Sequence, residues 1–391
     1  MNIALFTDTY PPEINGVATS TANLRAALIA HGHNVIVVTT NPFGKEMEYE
    51  DGIIRLPGVP MKQFYGYRLT SIYSKDAMKI LLAFRPEVVH CQTDLPIGIF
   101  GTFVARKLRI GLIYTFHTMY EDYTYYVTKG HFDRFARHTV RSFYRAKSNS
   151  FTEFIAPSEK IKDYLRSIGV DKTVPVIPTG IEFSRFNPER EDKEKTKALR
   201  KKFGISDEDT VILSLGRIAK EKSIDVLLKG YAKFLSAGEP FPTKFVITGW
   251  GPAEKELQDL AVSLGIQKKV IFTGKCDPSE TQDYYRLGDY FASASITETQ
   301  GLTFMEAMAA HLIVLARYDD NLVGTIKDGE TGFFFFNEGD FDEKLRYALA
   351  IDAPKKQHII DAALEAIDVY SMERFYQNII EVYLRVRKKN W

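Results

Sequence analysis

Short apolar runs alternate with amphipathic stretches along nearly the whole chain, and this rhythm constrains the fold more than any other feature. The strand-like runs are IALF from Ile3, VIVVTT from Val35, EVVH from Glu87, LIYTF from Leu112, FIAP from Phe154 and VPVIP from Val174. Helical patterns lie between them; one runs from Val17 to His31 and closes on Gly32, as helices commonly do. Buried strands that alternate with helices predict parallel sheets joined by right-handed crossovers.

The rhythm breaks at 184–209, where the run PEREDKEKTKALRKK is highly charged and holds no strand. That stretch reads as a linker region with room for a solvated helix. The alternation then restarts with VILSLG from Val211, KFVITG from Lys244, KVIFTG from Lys269, DYFASAS from Asp289 and LIVLA from Leu312. A chain of 391 residues is long for one domain. The expectation is an α/β protein with two doubly wound Rossmann-like domains, 1–183 and 210–370. Residues 371–391 are expected to form a C-terminal helix and basic tail that cross back to the first domain. Ligands in such sheets sit beyond the carboxyl ends of the strands, so two facing edges predict a cleft.

Composition narrows the function classes. A net charge of +1 favours neither a nucleic-acid binder nor an acidic scaffold. Cys91 and Cys276 are the only cysteines and lack metal-ligand spacing, which suits a reducing compartment without disulfides or a zinc site. No apolar run approaches the eighteen or so residues of a membrane span, and no signal pattern precedes the first strand. The expected location is cytoplasmic, with any membrane contact made from outside the bilayer.

Three segments carry chemistry. The first βα turn, FTDTYPPEINGV, lacks the G-x-G-x-x-G spacing of a nicotinamide site. Its Gly16 either presents backbone amides to a phosphate at a helix N-terminus or merely eases a turn. The segment GRIAKEKS, Gly216 to Ser223, opens a helix after a strand but has Glu221 where a P-loop needs glycine. An ATPase is therefore rejected, yet Arg217 and Lys222 place two cations at a strand end, suited to a diphosphate without a metal. The alternative is a solvated basic loop. The third segment, TETQGLTFMEAMAAHLIVLA, separates Glu298 from Glu306 by seven residues. Gly301 lets backbone approach a ligand at a helix start. Glu306 lies among Phe304, Met305, Ala307, Met308 and Ala309, and a carboxylate in so apolar a setting needs a partner.

The E-x7-E element with its alanine-rich helix, behind GR-x4-K, resembles glycosyltransferase family 4, retaining enzymes of the GT-B fold. The likeness extends through the Gly16 loop, TFHTMYEDY, PTGIEFSRF, ITGWGP and VIFTGK. HTMYEDY, TETQGL and ARYDDNL look like the diacylglycerol glucosyltransferases of bacterial membranes. The resemblance implies that Arg217 and Lys222 hold the diphosphate of UDP-glucose, assisted by amides near Gly16 and after Gln300, at Gly301 and Leu302. It implies Glu306 on the ribose and Glu298 on the donor sugar. The resemblance further implies that backbone around Lys275 and Cys276, beside the turn at Gly249, reads the uracil, and that His117 touches the sugar near its 6-hydroxyl and the reaction centre. Glycine is usual where His311 stands, so the turn there is expected to be strained or reshaped. No metal or other cofactor is implied.

A lipid acceptor such as diacylglycerol or its monoglucosyl derivative calls for a membrane face. Between Lys129 and Lys147 there are six Lys/Arg and one Asp, and Arg134, Arg137, Arg141 and Arg145 share one helical side opposite phenylalanines. These arginines are expected to face anionic lipid on the inner leaflet, or else are solvated while the phenylalanines pack. The tail LRVRKKNW adds four cations. Other readings of the same residues are a transferase using another sugar or acceptor, an epimerase of this fold, and a non-catalytic lipid-binding scaffold.

Overall fold

In a computed structural model the chain divides into two compact units, residues 1–180 with 372–391, and residues 181–371. The structure describes all residues except 14, 61–67, 95, 118–144, 146–150, 171, 191, 239–240, 297, 299 and 389–391.

The first unit holds strands β1 (Asn2–Phe6), β2 (Asn34–Thr40), β3 (Glu48–Glu50) and β4 (Ile53–Leu56), a small hairpin β5 (Gly58–Pro60) and β6 (Arg68–Thr70), then β7 (Val88–Cys91), β8 (Gly111–Thr115) and β9 (Glu153–Ile155). Seven of them form one sheet in the order β3-β4-β2-β1-β7-β8-β9. All its pairings are parallel except β3 on β4. The strands read as unbroken apolar runs because both faces are covered. Ile3 and Leu5 pack with Leu24 and Leu28 of the helix Gly16–Ala30, whereas Ala4 and Phe6 pack with Phe100 and Val104 of the helix Pro96–Leu108. The run at Val174 contributes only a single bridge, Val176 to Ala156, rather than a strand.

The second unit contains β10 (Thr210–Leu215), β11 (Thr243–Thr248), β12 (Val270–Gly274), β13 (Tyr290–Ser293), β14 (Ile313–Arg317) and β15 (Phe333–Phe335), ordered β12-β11-β10-β13-β14-β15. Every pairing here is parallel. Again alternate residues face opposite layers: Ile212 and Phe245 toward the helix Ile224–Ser236, Val211 and Leu213 toward the helices Leu302–Ala309 and Ala353–Ile367.

Two segments differ from simple punctuation by charge. The stretch read as a linker belongs to the second unit, where Phe186 and Ile205 are buried in the core around Tyr285. Its charged helix, Lys193–Lys202, hides this because it buries little beyond Thr196. The C-terminal helix Met372–Lys388 lies in the first unit and buries Phe375, Ile379, Val382, Tyr383 and Val386. Each such side chain contributes about 1.5–3 kcal/mol as an upper bound. Two cations of the basic tail are engaged there, Arg385 with Glu153 at 3.1 Å and Arg387 with Glu87 at 2.9 Å. Lys389 and Trp391 lie outside the described residues.

The turn at His311 shows why glycine is expected there. The helix Leu302–Ala309 ends with Leu312 N–H donating to Ala307 O at 3.0 Å and His311 N–H to Met308 O at 2.9 Å. That double bond closes a helix only if the intervening residue is left-handed, and His311 takes φ 63°. A side chain there costs about 1–2 kcal/mol, partly returned because histidine has less unfolded freedom than glycine. His311→Gly should therefore stabilise the protein by about 0.5–1 kcal/mol, read as a higher midpoint of thermal unfolding. An unchanged or lowered midpoint would show the turn to be unstrained.

Candidate active site

In the second sheet the chain leaves β10 in one direction to β11 and crosses to β13 on the other side. The crevice where strand order reverses therefore lies at the carboxyl ends of β10 and β13. The segments leaving those ends, from Gly216 and from Ala294, carry Arg217, Lys222, Glu298 and Gln300.

Arg217 follows Gly216 directly, and Lys222 closes a short 3-10 turn, Lys220–Lys222, before the helix Ile224–Ser236. Arg217 pairs with Glu221, and Lys222 with Glu298. The Lys222 side chain is 27% exposed and that of Glu298 18%, so this pair is less screened than a surface bridge. The cations of GR-x4-K are thus held by carboxylates and do not splay into solvent. Glu221, which disqualifies the P-loop, has a positive use as the partner of Arg217.

Gly301 opens the helix Leu302–Ala309 with φ 81° and no side-chain cap, leaving first-turn amides such as that of Leu302 for another acceptor. Gln300 just before it is buried. Glu306 lies one turn further in. Glu306 is half-buried, and burial pushes its pKa up to about 7. The partner its apolar setting demands is Tyr285, whose hydroxyl donates to Oε2 at 2.8 Å.

The GWGP turn has a packing reason for its first glycine. Gly249 has φ 140°, and a Cβ there would lie 1.8 Å from the Gly216 carbonyl, so only glycine lets the loops after β10 and β11 meet. Lys275 is exposed beyond β12. Cys276 is buried in a cluster with Tyr284 and Leu287, and burial raises its thiol pKa.

In the first unit the helix Gly16–Ala30 is capped by Asn15, whose side chain accepts from Ala18 N–H at 2.9 Å and donates to Thr9 Oγ1 at 2.7 Å. Around Gly16 itself the space where a side chain would project is open. His117, two residues past β8, hydrogen-bonds through Nε2 to Gln92 Oε1 at 2.6 Å. Burial lowers its pKa to about 4, so it is neutral near pH 7, with the proton on Nε2 and a lone pair on Nδ1. Behind it, His90 bonds Tyr383 at 2.8 Å and Thr115 at 2.7 Å, and burial lowers its pKa to about 3. Both histidines border a cavity of about 10 Å³, which also touches Ser20 and Thr179.

The second unit thus gathers Arg217, Lys222, Glu298, Gln300, Gly301, Leu302 and Glu306 on one sheet edge, while Gly16 and His117 belong to the first unit. Arg134, Arg137 and Arg141, with Asp122 and the tyrosines at 120, 123, 125 and 126, lie outside the described residues. Arg145 is exposed on helical backbone. Sequence reasoning missed Gln92, Asn15 and Tyr285. Asn15 alone carried a signal, an amide residue immediately before a helical pattern.

Family models match residues in both units of the chain. Residues 14–185 match Glycosyltransferase Family 4, and residues 195–365 match Glycosyl transferases group 1. The chain is 38% identical over 388 residues to the alpha-monoglucosyldiacylglycerol synthase of Streptococcus pneumoniae, covering 98% of this chain and 86% of that protein.

The chain belongs to glycosyltransferase family 4.

The synthase of the same description from Acholeplasma laidlawii is 36% identical over 342 residues, covering 86% of this chain and 85% of that protein. Among solved structures, Anabaena HepE in complex with UDP-glucose superposes with a TM-score of 0.74 at 15% identity, covering 98% of this chain and all of that one. That likeness speaks for the fold: the family 4 transferase is a GT-B protein of two Rossmann-like domains, and its activity is that of a hexosyltransferase.

Proposed function

We propose that this family 4 transferase moves glucose from UDP-glucose to 1,2-diacylglycerol with retention, giving alpha-monoglucosyldiacylglycerol. The observation that carries the reading is end-to-end likeness to alpha-monoglucosyldiacylglycerol synthases in a chain that keeps paired cations and carboxylates at the switch point of its second sheet. Diphosphate oxygens compete with Glu221 and Glu298 for Arg217 and Lys222, while the amides of Gly16, Gly301 and Leu302 donate to the same anion. Glu306 accepts from the ribose hydroxyls, and Glu298, released from Lys222, accepts from hydroxyls of the glucose. Backbone beside Gly249, Lys275 and Cys276 reads the uracil.

The acceptor hydroxyl attacks the anomeric carbon on the face from which the diphosphate departs. The new C–O bond forms as the old one breaks, and the hydroxyl proton passes to the leaving phosphate oxygen. No general base and no divalent cation are needed in this scheme, because Arg217 and Lys222 stabilise the growing negative charge. His117, neutral and held by Gln92, offers Nδ1 to a sugar hydroxyl.

Among the described residues no helix is long and apolar enough to cross a membrane. The lipid acceptor is reached at the inner face of the bilayer, with Arg134, Arg137, Arg141 and Arg145 drawn to anionic headgroups at about 1 kcal/mol each.

Incubation with radiolabelled UDP-glucose and diacylglycerol in anionic vesicles, with EDTA present, tests the reading. The expected product migrates as monoglucosyldiacylglycerol on thin-layer plates and shows an α anomeric signal by NMR. A β-linked product would remove the retaining assignment, and a strict Mg²⁺ requirement would remove the metal-free scheme. Transfer only to another acceptor would remove diacylglycerol.

A further inference from the structure

We infer that Tyr285 is a positioning residue of the nucleotide site: its hydroxyl holds Oε2 of Glu306 and leaves the other carboxylate oxygen to take a nucleoside's ribose hydroxyls. This rests on the reading of Glu306 as the ribose-binding carboxylate. The geometry is specific. Tyr285 ends the short helix Thr281–Tyr285 and is wholly buried, its ring edge-on to Phe186 at 5.5 Å and tilted against Phe291 at 6.0 Å. The ring cannot wander, so the hydroxyl has a fixed address. Two acceptors lie within its reach, Glu306 Oε2 at 2.8 Å and the Thr303 carbonyl at 3.2 Å. Among the described residues no other hydrogen bond reaches the Glu306 carboxylate.

One hydroxyl with two acceptors serves both protonation states of its neighbour. When Glu306 is ionised, the phenol donates to Oε2. When Glu306 is protonated, the carboxyl O–H donates to the phenol oxygen and the phenol turns to Thr303. Either form keeps lone pairs on the other oxygen, but the ionised form accepts from the ribose hydroxyls more strongly, because hydrogen bonds to a charged acceptor are the stronger ones. The groups around it are few. Arg185, from the 3-10 turn Phe183–Arg185, favours the charged form, while Ala363 and Ile367 of the helix Ala353–Ile367 and Val314 and Ala316 of β14 are apolar. The Cys276 thiol bears on Tyr285. Burial outweighs Tyr285 and Arg185 and puts the Glu306 pKa at about 7. Donor affinity should then climb as pH rises through that value and level off above it. Without the phenol hydroxyl the charged form loses a donor, and the midpoint should move up by about one pH unit.

Calorimetric titration of the full chain with UDP-glucose from about pH 5.5 to 9 tests this. UDP itself is avoided, because a terminal phosphate titrates near about pH 6. The wild type should gain affinity up to a plateau. Tyr285→Phe should reach the same plateau within about twofold, but with its midpoint about one unit higher and affinity near pH 7 reduced several-fold. Glu306→Gln should be weaker and flat with pH. A Tyr285→Phe curve lowered by one factor at every pH, or superimposed on the wild type, would overturn the inference and leave the donor reading standing. So would a Glu306→Gln protein that keeps the wild-type pH profile, and that arm decides if Tyr285→Phe does not fold. A wild type that binds no UDP-glucose at any pH would overturn the donor reading and the inference with it.

Discussion

Replacing Lys222 by alanine should lower kcat by about 10²–10³-fold and raise the KM for the sugar nucleotide much less. As the glycosidic bond breaks, charge accumulates on the departing phosphate oxygen, so a nearby cation interacts more strongly with the transition state than with the bound donor. Only that increment accelerates the chemical step. The structure adds a reason for a large effect. Lys222 faces Glu298 across a partly buried ion pair, and removing the lysine would leave the negative charge of Glu298 beside the proposed diphosphate position. The double variant Lys222→Ala with Glu298→Ala should therefore bind UDP, which lacks the glucose that Glu298 is proposed to hold, better than Lys222→Ala alone. Arg217→Ala should act in the same direction, since its partner Glu221 poses the same problem four residues along the chain. Steady-state kinetics on each variant decides the matter. A raised KM with unchanged kcat would make Lys222 a ground-state binding residue and take the leaving-group role away from it.

His117→Ala should cut transfer by about 10²-fold while UDP affinity stays within about twofold, because its proposed contact is with the sugar. The imidazole is neutral near pH 7: burial pulls its pKa to about 4, and Gln92 Oε1 accepts the hydrogen bond from Nε2–H. Nδ1 is then left with a lone pair, and the proposed contact with a sugar hydroxyl is one of orientation rather than charge. The transfer rate should accordingly show no inflection near pH 6.5 from this group, in contrast to a solvent-exposed histidine. Calorimetry with UDP beside single-turnover transfer from UDP-glucose separates the two effects. Equal losses in UDP affinity and transfer would place His117 on the nucleotide and contradict its assignment.

Much of the fold was legible because a parallel strand covered on both faces is apolar at every position. IALF, VIVVTT, VILSLG and KFVITG could hardly have been anything else once helical patterns separated them. Legibility failed where the local pattern and the tertiary partner disagree. PEREDKEKTKALRKK looks like a solvated linker, and most of it is solvated, yet its neighbours Phe186 and Ile205 are core residues of the second unit. VPVIP has strand composition, but only Val176 bridges, so composition overstated a segment with one neighbour. His311 was legible as a departure because a helix closing on a left-handed residue has a strong preference for glycine. The observed φ of 63° supplies the reason.

The candidate site divides along the same line. The sequence by itself determined that the chain makes two parallel α/β sheets, that Arg217 and Lys222 follow one strand, and that Glu298 and Glu306 flank a helix start. It also determined that the Glu306 carboxylate had to find a partner, because unpaired charge in an apolar segment is too costly. What it did not contain was which partner. Tyr285 lies 21 residues away along the chain and reaches Glu306 only because the short helix Thr281–Tyr285 and the helix Leu302–Ala309 pack against the same face of β13 and β14. Gln92 meets His117 only because β7 and β8 are adjacent in the sheet. Lys222 meets Glu298 only because β10 pairs with β13 across the point where strand order reverses. Residue types and local periodicity are local quantities. A hydrogen bond or ion pair between distant residues is set by strand order and packing, and those exist only in the folded chain.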